Sequence, residues 1–86
     1  MDRFSCSPDP LGPGETGQLC FSNEALADQN ITVDVQDAAE PPHGMSVNIQ
    51  LNAFGIGCVA WTRPSSWQGG AFFNHPTSDT HAVVFA

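Results

Sequence analysis

Residues 46–63 read Ser-Val-Asn-Ile-Gln-Leu-Asn-Ala-Phe-Gly-Ile-Gly-Cys-Val-Ala-Trp-Thr-Arg. From residue 46 to residue 53, polar and apolar side chains alternate, which is the two-residue period of a strand with one buried face. Gly55 and Gly57 can take the positive backbone angles of a tight reversal, and a second short apolar run follows them. The stretch therefore predicts a β-hairpin at the centre of the chain.

Further strand patterns lie on both sides of this predicted hairpin. They cover residues 18–23, 31–36, 71–74 and 81–85. The only plausible helical turn, residues 24–27, is too short to stand alone. Six or seven strands at roughly ten-residue spacing, separated by Pro and Gly, predict an all-β fold, a small antiparallel sandwich. Alternation predicts a core made of Leu19, Phe21, Ile31, Val33, Val35, Val47, Ile49, Leu51, Val59, Trp61 and Val84.

The chain has 86 residues, which is the size of one domain. We divide it into a Pro/Gly-rich leader and loop, residues 1–15, and a single β-sandwich domain, residues 16–86. The leader contains Phe4 and Cys6 and can form no more than a marginal edge strand. Three prolines and three glycines within residues 7–17 exclude a helix there and predict a stiff surface loop.

The charge balance excludes several classes of partner. The chain has no lysine, two arginines and nine acidic residues, with a formal net charge of −7. Such a chain cannot neutralise a phosphate backbone or an anionic membrane surface, so we expect no nucleic acid and no membrane insertion. Charged residues make up 13% of the chain, against about 25% in an average protein, which favours a surface partly covered by neighbours. The N-terminal residues lack the apolar core of a signal peptide.

A resemblance adds to this pattern. The segment Pro8-Asp-Pro-Leu-Gly-Pro-Gly-Glu-Thr16, followed by a strand with Leu19 and Phe21, resembles the opening of immunoglobulin-like modules of microbial surface and virion proteins. The resemblance implies an immunoglobulin-like β-sandwich with six to seven strands and an adhesive or structural role. An antibody-type domain places its disulfide in the core, whereas the candidate cysteines here are out of phase with the core residues.

Three cysteines, Cys6, Cys20 and Cys58, are disulfide candidates. Alternation places Cys20 and Cys58 on the less apolar face of their strands. If those strands are neighbours, the two cysteines can form a bridge across the outer face; otherwise each can pair with another chain. Three reduced, half-buried thiols are the competing interpretation. For an oxidising setting we predict one internal bridge, with Cys6 on the mobile leader free to cross-link a neighbouring molecule.

A metal site is a weaker hypothesis. Asp79 and His81 lie on the same side of an extended strand, and His75 lies across the turn at Pro76. These three side chains could hold Zn(II) or Cu(II), and the Asp-x-His element is similar to one in periplasmic copper-binding sandwiches. Exposed loop histidines with a turn-capping aspartate are the simpler interpretation, so we expect no cofactor.

Trp67 lies in a Ser- and Gly-rich loop, where its ring either covers the core or projects as an anchor for a partner. Phe4 on the leader is the second candidate for a partner contact. The sequence thus favours a non-catalytic assembly module, such as a virion decoration or surface-filament subunit that docks on copies of itself or on a larger protein lattice. A virion or the cell surface is the expected location. The alternatives are a small periplasmic metal-binding sandwich and an adhesive carbohydrate-binding module.

Overall fold

A computed structural model describes residues 2–39, 44–74 and 81–85 of the chain. These residues form seven strands and one short 3₁₀ turn, Glu24–Leu26. The strands are β1 (Arg3–Ser7), β2 (Thr16–Ser22), β3 (Asn30–Asp37), β4 (Gly44–Gln50), β5 (Ile56–Thr62), β6 (Gly70–Asn74) and β7 (His81–Phe85). The predicted all-β composition and the single helical turn are confirmed.

The seven strands form two antiparallel sheets that share one hydrophobic core. The first sheet has the order β1-β2-β5, and the second has the order β4-β3-β6-β7. Aromatic contacts join them: the ring of Phe4 lies edge-on to Phe21 of its own sheet at 5.1 Å and to Phe72 of the other sheet at 5.7 Å. Such edge-to-face geometry stabilises aromatic pairs beyond the area that they bury.

The predicted central hairpin is wrong, because its two arms belong to different sheets. β4 pairs with β3, and β5 pairs with β2. Gly55 does make the expected reversal with φ +76°, but Gly57 instead lets the two arms approach closely, since a Cβ there would lie 2.3 Å from the Gln50 carbonyl oxygen. Alternation identifies the face of a strand that is buried and says nothing about which strand supplies its hydrogen bonds.

Most of the predicted core is buried as expected. Eight of the predicted residues are buried, namely Leu19, Phe21, Ile31, Val33, Val35, Ile49, Leu51 and Trp61. Val47 and Val59 are partly buried against this cluster, and the Val84 side chain lies outside the described part of the structure. The core also includes five residues that alternation did not predict: Cys6, Leu11, Leu26, Trp67 and Phe72.

The N-terminal segment, described from residue 2 to residue 15, is packed against this core. β1 pairs along its whole length with β2. Leu11, in the middle of the Pro/Gly-rich loop, has an exposed fraction of 0%. The loop is fastened to the end of β5, because Gly14 N–H donates to the Arg63 carbonyl and Arg63 N–H donates to the Glu15 carbonyl, each at 3.0 Å.

The outer faces of the two sheets differ in chemistry. Polar side chains of β3 and β4 pair across the second sheet: Ser46 with Asp34 at 2.8 Å, Thr32 with Asn48 at 3.2 Å and Asn30 with Gln50 at 3.4 Å. The three strands of the first sheet contain no Asp or Glu, and Arg3 is their only charged residue. No helix among the described residues is long and apolar enough to span a membrane.

Candidate functional site

An exposed phenylalanine lies on a hydrogen-bonded turn between β4 of one sheet and β5 of the other. The Asn52 side-chain oxygen accepts hydrogen bonds from Phe54 N–H at 2.8 Å and from Ile56 N–H at 3.1 Å. The Asn52 backbone carbonyl accepts from Gly55 N–H at 2.9 Å. These bonds fix the turn and leave Phe54 with an exposed fraction of 74% and Ile56 with 48%. The apolar exposure is therefore built into the backbone of the turn.

The turn forms one wall of a groove, and the 3₁₀ turn forms the other. Asn23 joins the walls, since its N–H donates to the Gly55 carbonyl at 2.9 Å and its side-chain oxygen caps Ala25 N–H at 3.0 Å. The groove is open and has a volume of about 520 Å³. We call it the Arg3–Phe54 groove; its lining residues are Arg3, Ser22, Asn23, Glu24, Ala25, Phe54 and Ile56.

The Arg3–Phe54 groove carries one charge of each sign. Arg3 is exposed, and Glu24 is an exposed residue of the 3₁₀ turn that lines the same groove. The chain's other arginine, Arg63, has an exposed fraction of 1%, so Arg3 is the arginine at the surface. A groove with one exposed aromatic ring, an exposed isoleucine, a cation and an anion resembles a protein-docking surface.

Cys20 and Cys58 form a disulfide that joins β2 to β5, with a Cα–Cα distance of 4.1 Å. The two residues are direct partners in the antiparallel ladder. Cys20 is half-buried and Cys58 is exposed, so the bond lies on the outer face of the first sheet. The sequence left three arrangements open, namely an outer-face bridge, pairing with another chain and reduced thiols, and the outer-face bridge is the one formed.

A second, smaller groove lies beside this bond. It has a volume of about 340 Å³, and we call it the disulfide groove; its lining residues are Arg3, Phe4, Ser5, Cys20, Phe21, Ser22 and Ile56. Ser5 lies directly opposite Cys20 in the ladder between β1 and β2. Because Ser5 is small, the β1 side of the Cys20 sulfur is not covered by a bulky side chain.

We predicted Cys6 to lie on a mobile leader. In the structure it lies in β1, and its side chain is in the core. Its exposed fraction is 7%, and its thiol donates to the Pro8 carbonyl at 3.3 Å. Burial raises the pKa of this thiol; a backbone hydrogen bond from Leu11 opposes the shift, and the charge of Asp9 adds to it. A buried, protonated thiol is a poor nucleophile, so this structure does not favour the predicted cross-link through Cys6.

The two aromatic residues considered as partner contacts are both engaged inside the molecule. Trp67 has an exposed fraction of 4% and packs on Trp61 with ring centroids 5.6 Å apart. Its carbonyl accepts a hydrogen bond from the buried Arg63 guanidinium at 2.7 Å. Phe4 is half-buried between the sheets. Trp67 thus covers the core, and its ring presents no platform for a sugar or a partner.

The metal hypothesis falls largely outside the described residues. His75 and Asp79 are not described, and of His81 the structure gives the backbone position at the start of β7. Within the described part, no group of three or more His, Cys, Asp or Glu side chains is arranged to hold a metal ion. The proposed set of His75, Asp79 and His81 stays a prediction.

Sequence reasoning missed Phe54, Ile56, Arg3 and Glu24 as candidate site residues. The sequence did contain one indication of this site, because Phe54 breaks the alternation of residues 46–53 and precedes a glycine. No protein-family model matches the chain, and comparisons with curated proteins and with solved structures found no significant match.

Proposed function

We propose that this chain is a non-catalytic assembly module of immunoglobulin-like type that docks on a second copy of itself through the Arg3–Phe54 groove. The observation that carries the proposal is the exposure of Phe54, at 74%, on a turn held by the Asn52 side chain. Phe54 and Ile56 are exposed together in the lining of one groove, and exposed apolar side chains that cluster in this way mark interaction sites.

The strand order supports the immunoglobulin-like part of the proposal. In constant-type sandwiches the first, second, fifth and fourth strands form one sheet, and the third, sixth and seventh strands form the other. The orders β1-β2-β5 and β4-β3-β6-β7 agree with that division for every strand except β4. The fourth strand lies beside β3, as an added strand does in variable-type domains. The outer-face disulfide between β2 and β5 departs from the core disulfide of antibody domains.

Charge complementarity favours a second copy as the occupant. Arg3 and Glu24 line the same groove, so a two-fold arrangement can place Arg3 of each copy against Glu24 of the other. Phe54 and Ile56 would then meet near the symmetry axis. Each copy carries a net charge of −7, so two copies can approach closely only through a surface with few acidic residues. The first sheet, whose strands contain no Asp or Glu, is such a surface.

Sedimentation equilibrium of the purified chain tests this proposal. Phe54→Ser should weaken self-association at least tenfold without lowering the unfolding midpoint measured where both chains are monomers, because the bonds of the turn are made by the Phe54 backbone and by Asn52. A wild-type chain that stays monomeric at millimolar concentration would refute the proposal.

A charge swap tests the two-fold contact itself. Arg3→Glu and Glu24→Arg should each weaken association, and the double variant should restore it, because the swapped pair keeps one cation and one anion in each contact. Asp9→Arg changes the net charge by the same amount as Glu24→Arg at an exposed position in the 8–15 loop, and serves as the control. A double variant no better than the single variants would show that the two side chains do not meet.

A further inference from the structure

The Cys20–Cys58 disulfide is placed where a thiol dissolved in the solvent can react with it. It lies on the outer face of the first sheet, where Cys58 is exposed on an edge strand and Cys20 is half-buried on the central strand. Thiol–disulfide exchange needs an attacking thiolate that approaches one sulfur from the side opposite the other sulfur. For Cys20 that side faces β1, because β1 and β5 lie on opposite sides of β2.

The disulfide groove lies on this side of Cys20. Its residues include Ser5, which is the direct ladder partner of Cys20, and Arg3, which is the next outward-facing residue of β1. Glu24 lines the neighbouring Arg3–Phe54 groove and is not among the residues of this one. The groove therefore offers a small-residue approach to sulfur, two serine hydroxyls and one cationic side chain.

We propose that the disulfide groove is a binding site for a low-molecular-weight thiol that carries a carboxylate, and that Cys20 is the sulfur that such a thiol attacks. The carboxylate binds at Arg3, and the thiolate sulfur approaches Cys20 over Ser5. A bond forms between the incoming sulfur and Cys20 Sγ while the bond between Cys20 Sγ and Cys58 Sγ breaks. The electron pair leaves on Cys58, which takes up a proton from water.

The two cysteines are suited to these unequal roles. The exposed Cys58 is the better leaving group, because water stabilises its thiolate. The product is a mixed disulfide on Cys20 and a thiol at Cys58. A second equivalent of the small thiol attacks the mixed disulfide, releases the oxidised small molecule and leaves both cysteines reduced. Cys6 takes no part, because its thiol is buried in the core and hydrogen-bonded to Pro8.

The site of reaction is found by treating the oxidised, full-length chain with glutathione for a short time, before a second equivalent reacts, at a protein concentration where sedimentation shows a monomer. Free thiols are then alkylated, and the peptides are mapped by mass spectrometry. We expect glutathione on Cys20, the alkyl group on Cys58 and no modification of Cys6 in the folded protein. Glutathione on Cys58, or exchange no faster than global unfolding, would overturn the proposal.

Two variants test the approach and the charge. Ser5→Val, which places a branched side chain over the path to Cys20, should slow exchange several-fold, whereas Ser7→Val, on the same face of β1 opposite Gln18, should not. Arg3→Gln should lower the rate with glutathione several-fold more than the rate with 2-mercaptoethanol, a thiol that has no carboxylate. Near-ultraviolet circular dichroism checks that each variant is folded. Equal effects of Ser5→Val and Ser7→Val on the rate would refute the path over Ser5. An equal loss of rate with both thiols in Arg3→Gln would refute the role of Arg3.

Discussion

Arg63 and Asp37 hold the two ends of a single peptide unit, the one between Trp67 and Gln68. Arg63 Nη2 donates to the Trp67 carbonyl oxygen at 2.7 Å, and the Asp37 carboxylate accepts from Gln68 N–H at 2.9 Å. Both charged side chains are buried, at 1% and 3% exposure. Two opposite charges thus fix the loop that places Trp67 over the core.

Removal of the Arg63 guanidinium should be strongly destabilising. Arg63 also donates to the Leu11 carbonyl at 2.6 Å, so Arg63→Met removes two hydrogen bonds from a charged donor. The expected loss is about 3 kcal/mol or more in the free energy of unfolding. Arg63→Lys should not restore it, because an ammonium lacks the planar fork that reaches both carbonyls. Urea unfolding measures the effect, with the exposed Arg3→Met as the matched control; similar midpoints for the two variants would contradict this account.

Asp37 should act mainly as a hydrogen-bond acceptor for Gln68 N–H. Asp37→Ala leaves that donor without its acceptor and should cost about 1–3 kcal/mol. Asp37→Asn keeps an oxygen in the same place and should recover most of the loss. If urea unfolding shows Asn to be as damaging as Ala, the negative charge matters more than the hydrogen bond.

Loss of the disulfide should destabilise the domain without changing its fold. The bond joins residues 38 apart in sequence and lies on the outer face, so the double variant Cys20→Ser, Cys58→Ser leaves the core intact. The gain in entropy of the unfolded chain predicts a loss of about 4 kcal/mol. Far-ultraviolet circular dichroism should stay β-type while the urea midpoint falls. A loss below about 1 kcal/mol would contradict this chain-entropy account.

The Cys6 thiol should make stability depend on alkaline pH. Because burial raises its pKa in the folded state, the unfolded chain loses this proton first as pH rises. The contribution of Cys6 is therefore fully present below the ordinary thiol pKa of 9.0, and it declines above that value toward the raised pKa of the folded state. Cys6→Val should flatten this decline in urea midpoints measured from pH 7 to 10. An unchanged slope would assign the decline to other groups.

The sequence predicted the strands well and their partners poorly. Strict alternation along β3 identified Ile31, Val33 and Val35 as core residues, because apolar side chains at every second position all lie on one face of the strand. The same alternation in β4 and β5 could not show that these arms join different sheets. Strand pairing depends on contacts between residues that are far apart in sequence, and the alternation within one strand carries no information about them.

Side chains in loops and turns, in the core and at the candidate site alike, were harder to predict than those in strands, for a physical reason. Leu11 and Trp67 are buried although they stand in loops rich in Pro, Gly and Ser, where no period shows which way a side chain points. Conversely, Phe54 is apolar and exposed, against the average preference of its type. The outer-face disulfide could be predicted as one possibility, because alternation places Cys20 and Cys58 on the faces of their strands opposite the core residues.

The position of the disulfide in the chain determines how the molecule can bear tension. Cys20 lies in β2 and Cys58 in β5, so β3, β4 and the 3₁₀ turn between them lie inside the covalent loop. A force applied at the two ends of the chain passes through the sulfur–sulfur bond and bypasses this loop. The loop can add its length only after reduction, which should lengthen a stretched single molecule by about 130 Å, from 38 residues at about 3.4 Å each. Optical-tweezer traces with and without reductant would show this step, and equal lengths would show that force does reach the loop.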